Sequence, residues 1–129
     1  MKALLLFGRI LFSLIFLFSG FAHFLGKTIA YGASVGIPMA SFLVPLSGVI
    51  AIIGALCIIL GFKAKLGAVL ILIFLIPITF KMHQFWNIAD PMMMQLQMSL
   101  FMKNISMMGG ALIIAYFGAG PLSIDGRKR

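Results

Sequence analysis

The chain alternates long apolar runs with short polar breaks, and the lengths of both are its first structural signal. The first run extends from Ala3 to Leu25, interrupted by Arg9 and closed by His23, Gly26 and Lys27. A second goes from Ala40 to Phe62 with Pro45 in its opening turns, and Lys63 and Lys65 punctuate the turn that follows. The third is apolar from Leu66 to Phe80, after which Lys81, His83 and Trp86 mark an interface; a helix continuing to Trp86, kinked at Pro77, reaches spanning length. The fourth begins near Met94 and stops at Phe117, before Gly118, Gly120 and Pro121. A hydrocarbon layer of about 30 Å takes roughly 20 helical residues. The pattern therefore predicts spans over approximately 3–25, 40–62, 65–86 and 94–117 in a single membrane domain, residues 1–129. Short connections make neighbours antiparallel, so the fold class is an all-α integral membrane protein, an up-and-down four-helix transmembrane bundle. Met1-Lys2 before an apolar run also resembles a signal peptide, but the length of the run, Arg9 inside it and the missing small-x-small site before Gly26 favour an uncleaved span.

Composition removes the soluble alternatives. With 63% hydrophobic and 9% charged residues, the chain cannot cover itself with a surface suited to water. A net charge of +8 invites nucleic acid as a partner, but the basic residues are scattered between apolar runs instead of clustered on one face, so no nucleic acid is expected. They set topology. Four spans put Lys2, Arg9, Lys63, Lys65, Arg127, Lys128 and Arg129 on one side, seven basic residues, against three on the other, Lys27, Lys81 and Lys103. Basic loops stay inside and attract anionic lipid, which predicts a multi-pass protein of a bacterial-type inner membrane with both termini cytoplasmic. Cys57 is the sole cysteine and lies mid-span, so no intramolecular disulfide forms.

The same topology gathers His23, Lys27, Lys81, His83, Trp86, Asp90, Lys103 and Asn104 at one membrane level. Imidazoles near an interface can hydrogen-bond a quinone carbonyl or relay its protons, or simply be wetted by headgroup water. His23, His83, Trp86, Lys103 and Asn104 are the candidate ligand or quinone residues; no catalytic residue is assigned. Lys103 snorkels or pairs with an acid, and Asp90, the acid on that side, makes an Asp90–Lys103 structural ion pair the specific expectation. Arg9 is an intramembrane charge that needs a partner, a cavity or a route to the headgroups. Met94, Met98 and Met102 recur on one helical face, an alternative Cu(I) site because thioethers are soft ligands, although Met is also a flexible packing residue. No other metal site, phosphate loop or hydrolase triad is signalled.

Taken in order, Arg9-Ile10, Ser19-Gly20-Phe21-Ala22-His23, Gly36-Ile37-Pro38, Leu60-Gly61-Phe62, His83-Gln84-Phe85-Trp86, Lys103-Asn104-Ile105-Ser106, Gly118-Ala119-Gly120-Pro121 and Ser123-Ile124-Asp125 resemble the DoxX family of small four-span membrane proteins. The resemblance covers nearly the whole chain. It implies a four-helix membrane fold and, for some members, a subunit of a thiosulfate:quinone oxidoreductase or of a complex handling thiol and oxidative stress; distant relatives act as chaperones or cargo receptors. It assigns significance to Arg9, His83, Trp86, Lys103 and Asn104. The chain departs from the pattern at Ala51, where a Glu is common, and at His23, where many members carry Lys, and the missing carboxylate weakens the enzymatic reading.

The expectation is thus an inner-membrane subunit, not itself necessarily catalytic, that supports quinone-linked oxidoreductase or thiol chemistry. Membrane lipid, a redox-protein partner and a second copy of the chain are its expected partners, quinone its expected cofactor; the sequence itself signals no bound cofactor. The alternative is a non-catalytic membrane scaffold or assembly factor docking other helices through Gly48 with Gly54 and Gly109 with Gly110. Cu(I) binding and transport follow behind.

Overall fold

A computed structural model describes residues 1–127, so Lys128 and Arg129, counted above for topology, lie outside the described residues. Helix α1 covers Lys2–Ala22, α2 Gly26–Ser34, α3 Ala40–Leu60, α4 Ala64–Met82, α5 Pro91–Phe117 and α6 Ile124–Arg127, with a 3-10 turn at Phe85–Asn87. There is no strand among the described residues. Four segments are long and apolar enough to cross a membrane: Lys2–Ala22, Ala40–Leu60, Ala64–Asn87 and Pro91–Phe117. The all-α transmembrane bundle is what the pattern of apolar runs implies.

The spans pack in the order α1, α3, α4, α5. Lipid tails are as apolar as a helix side chain, so the drive for helix association is close packing, which favours small residues at the contacts. Ala51, Ala55, Ala68 and Ala111 are fully buried at the centre, around Phe16, Ile58, Ile71, Phe74 and Leu75. The glycines expected to dock foreign helices serve this internal packing. Gly48 lies against Gly20, Gly54 against Gly67, and Gly110 against the Phe12 ring, while a side chain at Gly109 would meet nothing within 4 Å. The outward faces carry Phe7, Leu11, Phe18 and Leu112, large apolar side chains suited to lipid.

The bundle end that carries both termini is closed by the chain after α5. Helix α3 finishes in a Schellman turn: Phe62 N donates to the Cys57 carbonyl at 3.0 Å, Gly61 N to the Ile58 carbonyl at 3.2 Å, and Gly61 adopts φ +65°. Against this turn lies residue 125. Its backbone N–H donates to the Gly61 carbonyl at 2.7 Å, and its carboxylate accepts from the N–H groups of Lys63 at 2.9 Å and Ala64 at 3.0 Å, capping α4 from across the sequence. As far as Arg127, the segment is a tied-down plug.

Three element boundaries differ from the apolar pattern. The helix expected to continue to Trp86 ends at Met82, and after His83 and Gln84 a 3-10 turn follows at Phe85–Asn87. Residues 26–38, expected to be a polar connection, contain α2, which packs on α3 and sends the Tyr31 hydroxyl to the Met82 carbonyl at 2.7 Å. The last span begins at Pro91, with Asp90 capping it by accepting from Met93 N at 3.3 Å. Its 27 residues extend to about 40 Å, more than the hydrocarbon thickness, so Lys103 and Asn104 sit well inside the helix and not at its start.

Candidate functional site

At the end opposite the termini, α1, α2, α4 and α5 enclose a cavity of about 310 Å³. Its polar lining is Ser19, His23, Thr28, Tyr31, His83, Lys103 and Asn104. Four of the five candidate ligand residues therefore converge. His23 caps the C-terminus of α1 and His83 that of α4, while Lys103 and Asn104 come from the middle of α5. The length of α5 brings them to this depth: they lie about 20 Å from Phe117, level with the last turns of α1 and α4.

Hydrogen bonds orient both imidazoles. The Ser47 hydroxyl gives its single proton to the Val44 carbonyl at 2.6 Å, so it accepts at 2.8 Å from Nδ1–H of His23. His83 Nδ1 lies 2.8 Å from the Gln97 side-chain oxygen, an acceptor, and carries the proton as well. Neutral rings in these tautomers leave Nε2 of both histidines as bare acceptors. The side chain of Asn104, a residue 4% exposed, forms no hydrogen bond among the described residues although it lines the cavity. No carboxylate contributes to the lining. The inventory is two imidazole acceptors, one amide, one ammonium and three hydroxyls: groups for recognition.

Other candidates lie elsewhere. Trp86 is 51% exposed and packs edge-to-face with Phe85 and Phe101, outside the cavity lining. The expected Asp90–Lys103 ion pair does not form. Both residues belong to one helix, thirteen positions apart, which puts their backbones about 20 Å from each other, and Asp90 is used as the cap of α5. Met94, Met98 and Met102 are exposed on the flank of α5, with no second helix closing over them as a chelating set requires. Arg9, 4% exposed, is turned to the chain's own tail: its Nη2 donates to the Leu122 carbonyl, and Asp125 attracts it electrostatically. Residue pattern alone missed Ser19, Thr28 and Tyr31; the spacing of Thr28 and Tyr31, one helical turn apart, is the signal for a short helix presenting both to the bundle.

The SURF4 family model matches residues 1–129, the whole chain. The inner membrane protein YphA of Escherichia coli K12 is 33% identical over 126 residues, covering 96% of this chain and 89% of YphA. The inner membrane protein YqjF of the same organism is 31% identical over 120 residues, 92% of this chain and 86% of YqjF. The ER-derived vesicles protein ERV29 of Saccharomyces cerevisiae is 30% identical over 81 residues, 63% of this chain but 26% of ERV29. No solved structure matches. The resemblance to the DoxX family is overturned by the full-length family match, and the redox role it implied loses its basis. Two of the short motifs behind it serve helix ends in this chain: Gly61-Phe62 closes α3 and Asp125 caps α4. With its whole length matched, this four-span chain belongs to the SURF4 family.

Proposed function

We propose that the chain is a non-catalytic inner-membrane scaffold or assembly protein that recognises a partner through the cavity opposite its termini, with both termini in the cytoplasm. The observation that carries this reading is the cavity's chemistry: two imidazoles held in place by hydrogen bonds, a side-chain amide with no hydrogen bond of its own and one ammonium surround a single space, a set that can grip a polar group from several sides. Relatives named as inner membrane proteins, and a partial match to a protein named for vesicles, support a shared role in membrane association more than a shared reaction. Seven of the ten basic residues at the termini end support the orientation.

In-cell photocrosslinking tests the reading. A photoreactive residue in place of Trp86, exposed close to His83 in sequence, is expected to give a discrete adduct that disappears in an Asn104→Leu background. Purified chain that alone turns over a quinone or thiol substrate, with the rate lost on His83→Ala, overturns it.

A further inference from the structure

A second cavity, about 340 Å³, adjoins the polar one. It lies between α3 and α4, and the partial exposure of Leu43, Leu46 and Ile73 in its lining opens it sideways toward the membrane. His23, Phe74, Ile78 and Met82 line both cavities. The last three recur at i, i+4 and i+8, one stripe of α4, so the chambers are separated by side chains. Of the residues in this wall, Met82 is unbranched and the most adaptable in shape.

The two chambers are chemically unlike. One is mostly apolar, with Ser47 and Lys81 as its polar lining besides the shared His23, and is open to lipid. The other holds the Asn104 side chain, nearly fully buried and without a hydrogen bond among the described residues, beside a space in which a bound polar group can pair with its amide. Beside it stand Lys103, which attracts anionic oxygens, and the bare Nε2 atoms of His23 and His83, which accept from hydroxyls. The complement of that set is an anionic head bearing hydroxyl groups, and the complement of the adjoining chamber is an alkyl chain.

We propose that the two chambers form one site for a single amphiphile, its anionic, hydroxylated head on Lys103, Asn104 and the two histidines and its chain passing Phe74, Ile78 and Met82 into the α3–α4 chamber. The proposal rests on reading the polar cavity as a binding site and adds the class of molecule it takes.

Native mass spectrometry of the purified full-length protein in non-ionic detergent provides the test, with lysophosphatidylglycerol, lysophosphatidylcholine and glycerol phosphate as probes. Lysophosphatidylglycerol is expected to be retained one to one, about tenfold more tightly than lysophosphatidylcholine, and free glycerol phosphate to be lost, since head contacts without the chain leave affinity weak. Asn104→Leu is expected to weaken retention by about tenfold. Ile78→Trp fills the wall, and Leu43→Trp at the part-exposed mouth of the apolar chamber tests the same route without burdening the core; both are expected to reduce retention of the lysolipid. Equal retention of the two lysolipids, unchanged by Asn104→Leu, means annular lipid and overturns the proposal. Glycerol phosphate held as tightly as the lysolipid means an anion site with no chain chamber and also overturns it. A Trp86 crosslink that persists while lysophosphatidylglycerol is not retained sinks the amphiphile and leaves the scaffold standing; the reverse pattern sinks the scaffold alone.

Discussion

Arg9 and Asp125 show how a charge is carried inside a membrane bundle. Arg9 is a lone charge in an apolar run, whereas Asp125 lies in the polar tail, two residues before Arg127. In the fold, Arg9 reaches the Leu122 carbonyl and Asp125 caps α4, so the tail, the first span and the α3–α4 turn are tied at one point. Asp125→Ala is expected to cost about 1–2 kcal/mol, the usual range for a lost helix cap, read as a lower thermal midpoint in detergent. Gly61 sits within this knot at φ +65°, and a Cβ there would lie 2.2 Å from the Ser123 Cβ. Gly61→Ala is therefore expected to displace the tail and to lower the midpoint further than Asp125→Ala. Arg9 was legible as a charge needing a partner; the identity of that partner was not, because 113 residues separate it from Leu122.

Among the elements, α2 and the glycine faces carry the lesson. Nine residues containing two glycines do not hold a helix in isolation, and the one-turn spacing of Thr28 and Tyr31 is too slight a signal to displace the reading of a loop. The helix exists because it lies on α3 and gives the Tyr31 hydroxyl to an orphan carbonyl at the end of α4. Tyr31→Phe is expected to cost about 1 kcal/mol and to increase amide exchange in the last turn of α4. For the glycines, a Cβ on Gly48 would sit 2.5 Å from the Gly20 carbonyl oxygen, whereas one on Gly109 meets open space. Gly48→Ala is expected to destabilise by about 1–3 kcal/mol through overpacking, and Gly109→Ala to be neutral or to stabilise by up to about 1 kcal/mol. A Gly109→Ala variant less stable than Gly48→Ala contradicts the packing described here. The apolar runs identified both glycines as small-residue positions and offered no means of telling the internal contact from the open one.

At the scale of the whole molecule, four crossings return the chain to the side on which it starts. Reporter fusions at the N- and C-termini are expected to score as cytoplasmic together, because Lys2, Lys63, Lys65 and Arg127 mark that end. A split result contradicts the orientation, and an odd number of crossings with it. The packing order α1, α3, α4, α5 leaves the first and last spans meeting through side chains such as Phe12 against Gly110, and the polar cavity opens between them and α4.

Membrane residence, the even number of spans and the crowding of imidazoles toward one end were settled by the sequence alone. Hydrophobic length is a local property measured against a fixed bilayer thickness, and a cap such as Asp90-Pro91 acts within one helical turn. Which polar groups meet was decided by the tertiary structure. In a bilayer the positions facing lipid and those facing a neighbouring helix are equally apolar, so the rotation of each helix about its axis leaves almost no hydropathic trace. That rotation turns Asn104 inward toward His23 and His83, leaves Trp86 outside, and sends Asp90 and Lys103 to separate tasks a helix-length apart.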